Sequence, residues 1–206
     1  MTSKLATLPS HNTLRFKFGA NWANFLKTLN NERIQIAEQS IKDMLKRDDL
    51  KGLKFLDIGS GSGLFSLCAR HLGATVYSFD YDINSVECTR ELKRRYFPDD
   101  AKWTIEQGSA LDRDYLKKLG QFDVIYSWGV LHHTGDMWQA LERALIPAAN
   151  KSQIAISIYN DQGRPSRNWT KIKQLYNALP KSLRFVITIP CLFRLWGLTW
   201  LRDLFK

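Results

Sequence analysis

Cysteine, histidine and proline are scarce in this chain of 206 residues, at three, four and six. Their scarcity removes several classes of protein at once. Cys68, Cys88 and Cys191 are odd in number and far apart, so no disulfide framework or redox pair is encoded and buried free thiols are expected. His11, His71, His132 and His133 form no ligand set, so no metal is predicted. Long apolar runs are lacking too. Leu183 to Leu201 has the length of a membrane span but is broken by Arg184, Pro190 and Arg194. Met1 to Asn12 has no apolar core of a signal peptide, which predicts a cytoplasmic protein.

What is present suits a folded α/β domain with a small appendage, for 44% of the residues are hydrophobic and the charges are mixed. The net charge of +10 is uneven. From Tyr159 onward nine bases face two acids, leaving that tail at +7 and the rest nearly neutral. Such a tail either meets an anionic partner (an acidic substrate, a membrane surface or RNA) or is a solvated helix face.

The organising stretch is KFLDIGSGSG, Lys54 to Gly63. Phe55, Leu56 and Ile58 read as a buried strand, and Gly59, Gly61 and Gly63 form a turn whose backbone can approach a ligand. Leu64, Leu67, Cys68 and Leu72 then recur at helical spacing up to a stop at Gly73. A turn of this kind points backbone N–H groups from a helix N-terminus at an anion. The G-x-G-x-x-G register of NAD(P) proteins fails, since Leu64 or Ser66 stands where the third glycine belongs, and the Gly-Lys-Ser/Thr end of a P-loop is absent. Thr75 to Asp80 reads as a second strand that ends in an acid, at the offset where a carboxylate reaches ribose hydroxyls.

The motif D-x-G-x-G-x-G, with Asp57 at the strand end, resembles the first motif of the class I S-adenosylmethionine (SAM) dependent methyltransferases. The run SWGVLHH, Ser127 to His133, resembles the segment after the fourth strand in methyltransferases of the ubiquinone-biosynthesis type. The resemblance implies a Rossmann-like three-layer αβα sandwich with a central parallel sheet in the order 3-2-1-4-5. It also implies SAM as cofactor and S-adenosylhomocysteine as product. Asp57, Gly59, Ser60, Gly61 and Gly63 are expected at the methionyl end, Asp80 at the ribose and Tyr81 beside the adenine. Relatives place an acid after the glycine that ends the third strand, whereas Ser109 and Ala110 follow Gly108 here. Those two are expected to hold the adenine, with Asp112 as substitute. Ser127, Trp128 and Gly129 are expected to border the cofactor.

Along the chain, residues 1–50 are expected to be helical, with a helix from Asn31 to Leu45. Phe16, Phe18 and Trp22 either form a lid or pack on the domain. Residues 51–160 form the core. It should hold a helix capped by Asn84 with Glu87, a third strand over Trp103–Gln107, a short helix over Arg113–Leu119 and a fourth strand over Phe122–Ser127. A helix opened by Asp136 and Gln139 is expected to run through Ala148, and a fifth strand over Gln153–Ile158. Residues 161–206 are a basic, aromatic helical segment, read as helices from Trp169 to Leu179 and from Cys191 to Phe205. The closing antiparallel hairpin of relatives is expected to be missing or incomplete.

His132 and His133 are the candidate bases for deprotonating an acceptor, or else structural residues; an extended backbone would keep both from one pocket. Tyr159, Asn160 and Arg164 are candidate acceptor contacts. The leading expectation is methyl transfer to O, N or C of a small-molecule, lipid or sugar-related acceptor. RNA or protein methylation, or a catalytically silent SAM-binding module, are the alternatives, and a peripheral place at a membrane surface follows from the tail.

Overall fold

The computed structural model describes residues 25–204, with side chains through Gly197. Phe16, Phe18 and Trp22 lie outside the described residues. Residues up to Tyr159 form one compact unit, and those from Asn160 a second.

The first unit opens with α1 (Asn31–Leu45), capped by the Asn30 side chain, which accepts from the Arg33 N–H. Ile34, Ala37, Ile41 and Leu45 recur every three or four residues and form its buried stripe. Then β1 (Lys54–Ile58), α2 (Leu64–His71), β2 (Thr75–Asp80), α3 (Ile83–Tyr96), β3 (Trp103–Gln107), α4 (Arg113–Lys118), β4 (Phe122–Trp128), α5 (Met137–Ala144) and β5 (Ala148–Ser157) alternate. The five strands are parallel in the order β3-β2-β1-β4-β5.

Alternation along β1 divides the core. Phe55 packs on one sheet face with Ile41, Leu67, Cys68, Leu92 and Trp103, from α1, α2, α3 and β3. Leu56 and Ile58 point to the other face, among Leu116, Ala140 and Ala144 of α4 and α5. Helices thus cover both faces, as a parallel sheet requires. The result is the Rossmann-like sandwich the motifs imply. Parallel pairing puts all the strand carboxyl ends on one edge, where the Gly59–Gly63 turn, Asp80 and Trp128 lie.

Several boundaries depart from the sequence reading. The cap of α3 is Asp82, whose carboxylate accepts from the Asn84 N–H, so Asn84 is inside the helix. β4 includes Trp128. α5 stops at Ala144, and Ala148 already pairs with Phe122 in β5. An irregularity between Phe122 and Val124, with Lys151 at φ 71, lets β5 continue across a bulge that hides the alternation before Gln153.

The second unit holds α6 (Arg164–Ala178) and α7 (Phe185–Leu204). α6 begins earlier than the reading from Trp169 because Pro165 falls in its first two positions, where a missing N–H costs nothing. α7 begins at Phe185, not Cys191, and runs through Pro190, so the helix forgoes one backbone hydrogen bond there.

Candidate active site

The turn after β1 is built by its contacts with the neighbouring strand and helix. Gly59 and Ser60 donate backbone N–H bonds to the Phe79 carbonyl at 2.8 and 3.1 Å, and Gly63 donates to Ser60 O at 2.8 Å. The Gly61 N–H goes to Asp80 Oδ2 at 2.9 Å. These four donors are engaged inside the fold, so at those positions the turn offers a ligand shape and not free N–H groups. Gly59 has φ 78, and a Cβ there would meet Val130 Cγ1 at 2.4 Å. At Gly63 a Cβ would stand 2.8 Å from Thr89 Cα, so α3 can approach the start of α2 only over a glycine. Gly59→Ala should therefore destabilise the fold by about 2–4 kcal/mol, from a left-handed backbone and overpacking together. Urea unfolding checks this, and an unchanged midpoint would contradict the packing.

Asp80 is the most constrained acid of the edge. Its Oδ2 accepts from Gly61 and its Oδ1 from the Asp82 N–H at 2.9 Å. The Tyr81 N–H is a further backbone donor to it, and of its four lone-pair sites acceptor capacity is still left over. Burial pushes its pKa above the ordinary value, against the lowering effect of those backbone donors. Tyr81, Ile83 and Trp128 follow at the ends of β2 and β4 with 49%, 45% and 49% of their surface exposed. A fixed carboxylate with spare acceptors, beside uncovered aromatic and aliphatic surface, fits a nucleoside: vicinal hydroxyls for the acid, a purine face for the apolar wall.

Asp57 lies deeper than the motif implies. It is buried, and its Oδ2 accepts from the Ser66 hydroxyl. Ser66 is joined to Ser78 Oγ at 2.7 Å, and Trp103 Nε1 donates to Ser78 Oγ at 2.9 Å. Ser66 has one proton and gives it to Asp57, so with that carboxyl ionised Ser66 accepts from Ser78, and Ser78 accepts from the Trp103 indole N–H. The chain crosses β3, β2, α2 and β1 inside the core. Burial is the main cause that pushes the Asp57 carboxyl up to about 7, the Ser66 bond opposing it. Sequence reasoning missed Ser66, Ser78 and Trp103. The signal was a polar residue among apolar neighbours in both α2 and β2.

The other predicted residues separate into those that border the edge and those that brace it. The Ser60 hydroxyl pairs with Thr89 Oγ1 at 3.0 Å in a buried contact. Ser127 is buried and donates to Ile58 O at 3.0 Å, tying β4 to the end of β1, and the Gly129 N–H donates to Ser157 O. Ser109 Oγ accepts from the Leu111 N–H, Ala110 is buried, and Asp112 caps α4 by accepting from Tyr115 N. Asp112 is therefore engaged in helix capping.

His132 and His133 occupy a 3-10 turn, Leu131–His133, and the backbone there is not extended. The turn brings their rings to 4.0 Å between centroids, with Tyr159 4.2 Å from His132 and 5.5 Å from His133. The restriction that an extended backbone would impose on the pair therefore does not apply. Both ring nitrogens of His132 are buried without a hydrogen-bond partner among the described residues. Burial lowers the His132 pKa from its ordinary value, so the ring is held neutral and can accept a proton. Asn160 and Arg164 belong to the second unit, where both are exposed. Among the described residues no group of His, Cys, Asp and Glu has the arrangement to hold a metal.

Fold and edge together are those of an α/β domain of the doubly wound kind. Comparison with known proteins narrows this. A family described as "Methyltransferase domain" matches residues 56–145, from β1 through α5. A ribosomal protein L11 methyltransferase of Prochlorococcus marinus is 39% identical over 84 residues, 40% of this chain and 24% of the relative. A ubiquinone biosynthesis O-methyltransferase of Pelagibacter ubique is 32% identical over 106 residues, 50% of this chain and 41% of the relative. The chain thus spans less than half the length of these curated relatives. The crystal structure of magnesium protoporphyrin IX methyltransferase from Synechocystis with bound S-adenosylhomocysteine shares the fold, with TM-score 0.57 and 18% identity over 79% of this chain and 77% of that one. Over residues 56–145 the chain is similar to methyltransferase domains, and its fold is that of the SAM-dependent methyltransferase structure it matches.

Proposed function

We propose that this chain transfers a methyl group from SAM to an oxygen, nitrogen or carbon of a small-molecule, lipid or sugar-related acceptor, leaving S-adenosylhomocysteine. The observation that carries the reading is Asp80, fixed by the Gly61 and Asp82 N–H groups at the mouth of the Gly59–Gly63 turn. When bound, the cofactor supplies a methyl group on a positive sulfur that departs as a neutral thioether. Asp80 would hold the ribose hydroxyls, Tyr81, Ile83 and Trp128 would flank the base, and the turn, with Asp57 beneath it, would seat the methionyl end.

His132 would take the proton of an acceptor hydroxyl or amine, with Tyr159 beside it as an acceptor contact. Because burial lowers the His132 pKa below 6.5, the rate should stay level from neutral pH down past that value and fall only in more acid solution. His132→Ala should lower kcat by about 10²–10⁴-fold for an O or N acceptor and leave S-adenosylhomocysteine affinity unchanged. An unchanged kcat would leave alignment alone as the source of the rate.

A protein acceptor is the second reading, favoured by the 39% identity to the ribosomal protein L11 enzyme over the matched segment. Calorimetry with S-adenosylhomocysteine, followed by tritiated-methyl transfer into fractionated cell extract, tests both. Label in the small-molecule or lipid fraction supports the first reading and label in protein the second. Binding without any transfer would make the domain a silent module.

A further inference from the structure

The second unit has no buried side chain on α6, and its α7 leaves a long apolar stripe uncovered. Phe185, Ile189, Leu192 and Trp196 recur at spacings of four, three and four, with Val186 and Phe193 beside them. These six side chains are between 48% and 73% exposed. A patch of that extent on a soluble surface marks an interaction site.

The opposite line of α7 carries Ile187, Cys191 and Arg194, and Arg184, just before the helix, continues it at spacings of three, four and three. That line is turned to α6. The Arg184 guanidinium lies 4.9 Å from the centre of the Tyr176 ring, and Arg194 shares a groove of about 580 Å³ with Arg164, Trp169 and Lys171. Among the described residues three cations and no carboxylate line that groove. One long edge of the helix pair is therefore apolar and aromatic, and the edge a helix diameter away, about 10 Å, is cationic.

We infer that α7 lies flat on an anionic lipid bilayer, with the Phe185–Trp196 stripe at the acyl boundary and Arg164, Lys171 and Arg194 among the headgroup phosphates. This two-level arrangement is that of an interfacial amphipathic helix, whose apolar face sits about 5–10 Å deep with cations above it. Crossing is disfavoured: among the described residues no helix is long and apolar enough to span a membrane. The charge of the tail, nine bases against two acids from Tyr159 onward, complements anionic lipid and repels a second copy of itself. The inference does not depend on methyl transfer.

Flotation of the full chain with phosphatidylcholine vesicles, with and without phosphatidylglycerol, tests it. The chain should float with the anionic vesicles, stay behind with the neutral ones, and detach as salt rises. Tryptophan emission should shift to the blue on anionic vesicles only. Leu192→Glu with Phe193→Glu should lower vesicle affinity at least about tenfold, and Arg164→Glu, Lys171→Glu and Arg194→Glu on the order of fivefold for each cation removed. S-adenosylhomocysteine binding, measured on the same samples, reports separately on the methyltransferase reading. Equal flotation with both vesicle types, or no flotation, would overturn the inference even if no variant folds. So would a dimer by light scattering that the Leu192 and Phe193 changes dissociate, or retention of RNA by the chain without retention of vesicles.

Discussion

Asp80→Ala is expected to weaken S-adenosylhomocysteine binding by about 10²–10³-fold while the fold survives. Two effects act together. The change removes the acceptors proposed for the ribose hydroxyls, and hydrogen bonds to a charged group contribute about 1.5–3 kcal/mol each. It also frees the Gly61 and Asp82 N–H groups that the carboxylate now holds at 2.9 Å, so the turn loses its anchor to β2. Asp80→Asn separates the two. The amide keeps one acceptor oxygen and offers an NH₂ that cannot accept, so an intermediate loss is expected. Calorimetry measures all three proteins, and affinity unchanged in Asp80→Ala would remove Asp80 from the site.

Asp57→Asn is expected to move stability and binding in opposite directions. The folded-state carboxyl is pushed up from 3.8 to about 7 by burial. Between those values the folded chain binds more protons than the unfolded one, so stability falls as pH rises through the window and levels off above it. A carboxylate ionised at pH 8 therefore costs the fold as much as about 4 kcal/mol relative to its protonated form. Asparagine has the shape of the protonated acid, can still accept from Ser66, and does not titrate. The variant should thus be more stable than the parent at pH 8, with the gain shrinking toward pH 4. If Asp57 serves the methionyl end, the same variant should lose affinity for S-adenosylhomocysteine. Urea titrations at pH 5 and pH 8 read the first effect. A gain equal at both pH values would contradict the burial of an ionisable group.

Much of the sheet was legible: the buried β1 and β2 show as short apolar runs between turn signals, and the edge strand β3 shows as Trp103 and Ile105 alternating with polar residues. The glycines and Asp80 were legible because a strand-turn-helix unit fixes their places in sequence. Less legible were features that depend on a neighbour distant in sequence. Gly59 is required by Val130, and Gly63 by Thr89. Asp57 reads as a ligand residue in its motif, but its environment is made by Ser66, Ser78 and Trp103 from three other elements. The clustered, tilted rings of His132, His133 and Tyr159 depend on a 3-10 turn that no periodicity announces. In β5 a left-handed Lys151 breaks the alternation that would have marked the strand. Local competition explains the cap of α3, where Asp82 stands two residues before Asn84 and takes the position.

The most direct test of the central claim is a crystal of the chain grown with S-adenosylhomocysteine. The account expects the nucleoside across the carboxyl ends of β1 and β2, its ribose on the Asp80 carboxylate and its sulfur near the turn that follows Asp57. A ligand bound elsewhere, or a cleft left empty at saturating concentration, would contradict it.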